Sequence, residues 1–287
     1  MAGEAPFRNI AVLGTGLIGG SFALACRATF PDVSVAGWDH PEVLRRAAEL
    51  GAVTRAAAGL ADAVSNADLV YIALPIGATL DLLPEIASLA SASDVLITDA
   101  ASTKAAICRA AAQHLRGRAC FLGGHPLAGR EVSGIEHADA GLFRGANYAL
   151  VGESGAPSSA RFESFLRALG ARPVWIDAET HDWAVGIVSH LPQLAAIALA
   201  GVVNDETDET GLPLSLAGSG LRDTLRLAGS PYGVWRDVCL TNRDNLVRSL
   251  DRYIQALEYL RGTLASRDLE PQFTAANQIY KSLRELD

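Results

Sequence analysis

Asn9-Ile10-Ala11-Val12-Leu13-Gly14-Thr15-Gly16-Leu17-Ile18-Gly19 is the stretch that decides the fold. A short, mostly apolar run feeds directly into three glycines spaced as GxGxxG, and residues 21–28 read as the helix that follows. Glycine is required there because the chain turns tightly, lets a pyrophosphate approach bare backbone, and packs helix against strand. The helix N-terminus adds unpaired N–H groups and partial positive charge, which favour phosphate. Such a turn is common in isolation, so its surroundings carry the argument. Asp39 ends the second strand twenty residues beyond Gly19, where a carboxylate accepts both ribose hydroxyls of a dinucleotide. A negative charge at that place repels a 2′-phosphate, so NAD is the expected cofactor rather than NADP. The competing role for Asp39 is capping the helix that starts at Pro41. The expected cofactor residues are Gly14, Thr15, Gly16, Leu17, Ile18, Gly19 and Asp39, together with Leu74 and Pro75 at the end of a later strand. Pro75 reads equally well as a plain strand terminator.

Outward from this turn, strand-like and helix-like segments alternate. Strands are expected at 33–38, 69–74, 95–98, 120–122, 148–151 and 173–176, and helices at 41–50, 103–115 and 158–169. The alternation predicts an α/β fold with a doubly wound parallel sheet, a Rossmann domain spanning residues 1–178. From about His181 the character changes to long helical patterns at 181–203 and 231–261, with a terminal helix at 272–283. Residues 179–287 are therefore expected to form an all-helical second domain. A helix as apolar as 191–203 needs cover on most sides, more than a small domain supplies, so a homodimer through this domain is expected.

Composition bounds the function. The 287 residues suit two domains at about 150 residues each. With 49% hydrophobic and 20% charged residues, wholesale disorder and fibrous repeats are excluded. A net charge of −8, from 32 acidic and 24 basic side chains, argues against nucleic acid or an anionic membrane surface as partner. Four scattered cysteines without a CxxC pair fit reduced thiols, with no disulfide framework and no metal site expected. The start, MAGEAPFRN, lacks an apolar export segment, and no run of ~18 apolar residues escapes interruption by His, Pro, Gln or charge. A cytoplasmic enzyme is the expectation.

Of the six histidines, His40, His137 and His181 fall in polar turns and His114 on a helix surface, where a solvated imidazole is the plain reading. His125 differs. It stands in Gly123-Gly124-His125-Pro126-Leu127-Ala128-Gly129-Arg130-Glu131, read as directly following a buried strand at the edge where substrate meets cofactor. An imidazole with a pKa near 6.5 can take a proton at neutral pH, which suits hydride removal from a carbon bearing a hydroxyl.

Taken together, GTGLIGG, DAASTK (99–104), GGHPLAGRE (123–131), SHLPQ (189–193) and GSGLRDTLRLAGSPYGVWRD (218–237) resemble the prephenate and arogenate dehydrogenases of tyrosine biosynthesis, in family order and over nearly the whole chain. The resemblance implies NAD-dependent oxidative decarboxylation of prephenate to 4-hydroxyphenylpyruvate, with arogenate giving tyrosine directly as the alternative. It implies a small dicarboxylate as substrate, His125 as acceptor of the C4 hydroxyl proton, and Ser102 orienting that hydroxyl near the nicotinamide. Ser102 could also cap a helix beginning near Thr103. Arg226 matches the arginine that grips the ring carboxylate, whose planar fork suits that task. Arg222 reads as a surface residue. Glu131 and Asp223 match acidic groups that gate or position the pocket, and His190 matches a pocket liner, with a satisfied core histidine as the alternative. Many prephenate-using members carry a second histidine where this chain has Gln193, which leaves side-chain specificity open. Trp235 matches an aromatic near the pocket, or is simply core. The residues after the helical segments leave no room for a regulatory domain, so control through one is not expected, while direct competition by tyrosine at the active site stays open.

Two other functions remain to be weighed. A β-hydroxyacid dehydrogenase shares the two-domain layout but needs a lysine on the first long helix of the second domain, and the only lysines are Lys104 and Lys281. A non-catalytic NAD-responsive binding protein would need the glycines but neither His125 nor Arg226.

Overall fold

The computed structural model describes residues 4–89, 95–115, 120–129, 132–207, 209–266 and 268–285. Eight strands, β1 (Asn9–Leu13), β2 (Ser34–Trp38), β3 (Arg55–Ala56), β4 (Leu69–Ile72), β5 (Leu96–Asp99), β6 (Cys120–Pro126), β7 (Asn147–Val151) and β8 (Arg172–Trp175), form one sheet. Its order is β3-β2-β1-β4-β5-β6-β7-β8. The reversal between β1 and β4 creates the crevice at the strand C-termini where dinucleotides bind in such sheets. Every residue of β4 and β5 is buried, as strands covered on both faces require.

Helices α1 (Leu17–Thr29), α2 (Pro41–Glu49), α3 (Leu60–Val64), α4 (Ile76–Leu89), α5 (Ala105–His114) and α6 (Pro157–Ala168) connect the strands. Two apolar layers cover the sheet. One contains Val12, Phe22, Tyr71, Tyr148 and Phe165, with Phe22 stacked on Tyr71 at 3.7 Å between ring centroids. The other contains Leu13, Ile72, Leu83, Ile97 and Ile107.

The sheet departs from the all-parallel expectation at one place, since β6 and β7 run antiparallel. Their connection carries only a short 3₁₀ turn, Ile135–His137, among its described residues, not a full crossover helix, so the chain returns from the end at which it left. Strand β6 also outruns its expected end at 122. A Cβ on Gly124 would lie 2.4 Å from the Asp99 carbonyl oxygen, so the two glycines let β6 continue tightly against β5. His125 consequently sits inside the strand, opposite Ala149, rather than after it.

Beyond β8, α7 (Ala178–Val185), a π-helical turn Gly186–His190 and α8 (Leu191–Asp205) make one continuous helix. Pro192 cannot donate a backbone hydrogen bond, and the wider turn just before it accommodates that gap. Shorter helices α9 (Leu212–Ser215), α10 (Ser219–Leu225) and α11 (Tyr232–Thr241) follow. The single helix expected over 231–261 is broken at Asn242, after which α12 (Arg243–Thr263) begins.

The chain divides into two compact units, Met1–Arg243 and Asp244–Asp287. In the second, the remainder of α12 and α13 (Glu270–Glu285) are linked by a hydrogen bond from Gln272 Nε2 to the Tyr259 hydroxyl at 3.2 Å. By length and composition, Ala178–Asp205 is long and apolar enough to cross a membrane, its most apolar 18-residue window having mean hydropathy 1.7. Its buried residues, however, include His181, Asp182, His190 and Gln193, while Val188, Ile197 and Val202 are exposed. Polar side chains turned inward define a site, and the apolar face turned outward is the surface expected to be covered by a second copy.

Candidate active site

The cofactor end is built by the glycine turn and β2. Gly14 has φ +89°, and a Cβ there would fall 2.4 Å from the Ala73 carbonyl oxygen, so neither conformation nor space admits another residue. A Cβ on Gly19 would lie 1.8 Å from the Gly14 oxygen, whereas one on Gly16 meets nothing within 4 Å. Gly14 and Gly19 thus serve packing, and Gly16 opens the turn to a ligand. Helix α1 starts at Leu17 with no acidic residue in its first turn to compete for phosphate. Asp39 Oδ2 accepts from the Thr15 amide at 2.6 Å and the Thr15 hydroxyl at 3.2 Å, which pins the carboxylate beside the turn. It does not cap α2, whose N-cap is His40 without a side-chain hydrogen bond. These residues fit a dinucleotide. Leu74 is half-buried, Pro75 is exposed, and α4 begins immediately after them.

At the chemical end, four polar side chains are arranged behind one histidine. His125 is 8% exposed, and its Nδ1 lies 2.9 Å from Nε2 of His181. His181 Nδ1 lies 2.8 Å from Asp182 Oδ1. The solvated turn expected for His181 is therefore incorrect: it lies in the first turn of α7, on that helix's buried face, and is only 2% exposed. Below His125, Lys104 and Asp99 form an ion pair with no exposure on either side chain. Lys104 Nζ also donates to the Gly124 carbonyl at 2.6 Å, and Asp99 Oδ1 accepts from the Gly124 amide at 3.1 Å. Gly124, the residue preceding His125, is thus held at both its N–H and its carbonyl.

Burial pushes the His125 imidazole well below its ordinary pKa, with His181, Lys104 and His190 adding repulsion. It is therefore neutral, and able to accept a proton, throughout the physiological range. Burial disfavours the charged form of Asp182, yet bonds from His181 and from the Ala105 and Lys104 amides outweigh this and hold the carboxyl below its usual value.

Helix α5 begins at Ala105 rather than near Thr103, and no side chain of its own loop caps it. Asp182 does so instead, accepting from the Lys104 amide at 2.7 Å and the Ala105 amide at 2.9 Å. Ser102 is half-buried in the loop between β5 and this capped start. His190 is 1% exposed, accepts at Nδ1 from Asn242 Nδ2 at 3.1 Å, and meets the edge of Trp235 at 5.6 Å. The Asn242 amide also donates to the Asp182 carbonyl at 2.8 Å, which leaves Nε2 of His190 as its N–H. Burial lowers the His190 pKa to about 4, opposed by Asp182 and reinforced by His181. Because the folded value lies below the unfolded 6.5, stability conferred by neutral His190 is complete above pH 6.5 and lost as pH falls towards 4. We expect that loss to be on the order of 3 kcal/mol. Urea titrations between these pH values measure it, and His190→Asn should flatten the slope.

Gln193 is 1% exposed, and among the described residues its Nε2 is a buried donor without a hydrogen-bond partner. Trp235 is both things expected of it, half-buried against the apolar layer and in contact with His190. Arg226 and Asp223 are exposed, Asp223 on α10 and Arg226 at its C-terminal end. Glu131 lies outside the described residues. Sequence reasoning missed Lys104, Asp99, His181, Asp182 and Asn242. The pair His181-Asp182 at a helix start was the available signal, together with a charged Asp99…Lys104 motif flanking an otherwise apolar strand.

Comparison with known proteins bears on this geometry. Residues 22–174 match the family model described as prephenate dehydrogenase, nucleotide-binding domain, and residues 177–278 match prephenate dehydrogenase, dimerization domain. A prephenate dehydrogenase of Lactococcus lactis is 34% identical over 262 residues, covering 91% of this chain and 72% of the relative. A cyclohexadienyl dehydrogenase of Zymomonas mobilis is 33% identical over 266 residues, covering 91% and 90%. The crystal structure of the Aquifex aeolicus prephenate dehydrogenase with hydroxyphenyl propionate and NAD⁺ superimposes with TM-score 0.85 at 26% identity, covering 98% of each chain.

Proposed function

The chain belongs to the prephenate dehydrogenase family, and from that membership we infer NAD-dependent oxidative decarboxylation of prephenate to 4-hydroxyphenylpyruvate, a step of tyrosine biosynthesis. The observation that carries the chemistry is a buried, neutral His125 at the C-terminal edge of the sheet. NAD, when bound, supplies the hydride acceptor. In our reading the Gly14–Gly19 turn takes the pyrophosphate and Asp39 the ribose hydroxyls. Ser102 orients the C4 hydroxyl, and His125 accepts its proton as the bond to hydrogen at C4 breaks and the ring carboxylate departs as carbon dioxide. Arg226 holds that carboxylate until it leaves, and Asp223 and Glu131 gate or position the pocket. His190 offers Nε2–H, and Gln193 its unpartnered amide, to the substrate side chain.

Gln193 bears on the second reading. A carboxamide donates to a pyruvyl group and also accepts from an ammonium, and one relative is a cyclohexadienyl dehydrogenase. NADH production on prephenate and on arogenate, compared on the same preparation, decides between them. Turnover of neither would overturn the assignment. Asp39→Ser should narrow the preference for NAD over NADP by about tenfold or more in kcat/KM, and an undiminished preference would remove Asp39 from cofactor choice. Arg226→Ala should raise KM for prephenate by about 30-fold or more while sparing KM for NAD. An unaltered KM would mean that the carboxylate is held elsewhere.

We further propose that the functional division falls between residues 178 and 179, in line with the two family matches at 22–174 and 177–278. The second part carries the family's dimerization domain, and the exposed apolar face of Ala178–Asp205 supports a homodimer there. The buried polar residues on the same helix support a cytoplasmic, non-membrane protein.

A further inference from the structure

We infer that His181 and Asp182 are positioning residues that fix His125 as the tautomer protonated on Nδ1, so that Nε2 is the nitrogen left to act as base. The inference rests on the reading of His125 as proton acceptor and assigns a role to two residues behind it.

The argument is a chain of donor and acceptor assignments. Asp182 already accepts two backbone N–H bonds, one at each oxygen, which fixes its carboxylate in place at the start of α5. An ionised carboxylate only accepts, so the 2.8 Å contact from Asp182 Oδ1 makes Nδ1 of His181 a donor. A neutral His181 then has its lone pair on Nε2. That atom lies 2.9 Å from Nδ1 of His125, which must therefore carry the hydrogen. A neutral His125 protonated on Nδ1 has its lone pair on Nε2.

The alternative is a doubly protonated His181 donating from Nε2 to His125. It would place the hydrogen of His125 on Nε2 and remove the base. Facing the cluster, the Lys104 ammonium that leads into α5 and the Asp99 carboxylate on β5 pair with each other, and His190 on the π-helical turn is neutral. Asp182, on α7, is the one anion in direct contact with His181, and a single hydrogen bond to neutral imidazole satisfies it. The two imidazole rings meet edge-on, with 73° between their planes.

The same carboxylate thus caps α5 and sets the histidine pair, coupling the Ser102 loop to the base. Asp182→Asn disturbs both at once, so His181 is the informative position. In His181→Gln the side-chain oxygen can stand where Nε2 was and still accept from His125, whereas in His181→Leu it cannot. Expected for the leucine variant is a fall in kcat of about 10²-fold with KM for prephenate and for NAD each within about threefold of wild type. The glutamine variant should recover to within about fivefold of the wild-type kcat. Nitrogen-15 spectra of histidine-labelled protein give a readout that does not depend on turnover: His125 should be Nδ1-protonated in the wild type and the glutamine variant, and shift towards Nε2-protonated in the leucine variant. Equal losses for leucine and glutamine, or an unmoved His125 tautomer in the leucine variant, would overturn the inference. If instead the tautomer moves as stated while His125 itself proves dispensable for turnover, it is the base assignment that fails.

Discussion

His125→Asn is expected to lower kcat for prephenate by about 10³-fold or more, with KM for prephenate and NAD within a few-fold of wild type. The expectation follows from where the residue sits. Its ring is buried and neutral, its Nδ1 is occupied by His181, and its backbone is held through Gly124 by both Lys104 and Asp99. Asparagine keeps a side chain that can bond to His181 and preserves the strand, but it has no lone pair basic enough to accept the hydroxyl proton. Steady-state kinetics on the two proteins decide the matter, and a variant retaining more than a tenth of wild-type kcat would assign proton removal to another group. The wild-type pH profile provides a second check. Because the His125 pKa is depressed, the acid limb of kcat/KM should have its midpoint below 6.5, the ordinary imidazole value.

Lys104→Met should be the most destabilising single change, by about 3 to 5 kcal/mol. It leaves the Asp99 carboxyl group fully buried without its counter-charge, and it removes the donor to the Gly124 carbonyl. Adding Asp99→Asn should restore a good part of the loss, because the remaining amide can be buried at lower cost than an unpaired carboxylate. Urea unfolding of the single and double variants measures this. A loss below about 1 kcal/mol for Lys104→Met, or a double variant weaker than the sum of its parts, would mean that the pair does not hold β6 in place. Turnover should fall with the single variant even under folding conditions, since Gly124, next to His125, loses one of its two anchors.

The glycine turn, Asp39 and the alternation of strands with helices were legible because each is a local pattern. A turn that only glycine can make and a carboxylate at fixed spacing do not depend on distant chain. His125 was legible as a candidate through its glycine and proline neighbours, although its place within β6 was not. The strand continues because Gly124 lies too close to β5 for a side chain, and that distance is set by the sheet. The antiparallel return of β7 was hidden for the same kind of reason, since short apolar runs carry no direction.

His181 and Asp182 were the larger omission. A histidine followed by an aspartate after a strand looks like a polar turn, and only the packing of α7 against α5 makes them buried. The sequence alone determined the cofactor, the layout of a Rossmann half followed by helices, and the family. Tertiary structure alone decided which nitrogen of His125 is free, what caps α5, and how Lys104 and Asp99 brace the strand. Those interactions join residues that stand 56 and 77 positions apart, or reach across two strands. Hydrogen-bond direction and burial are properties of such encounters, and no single segment carries them.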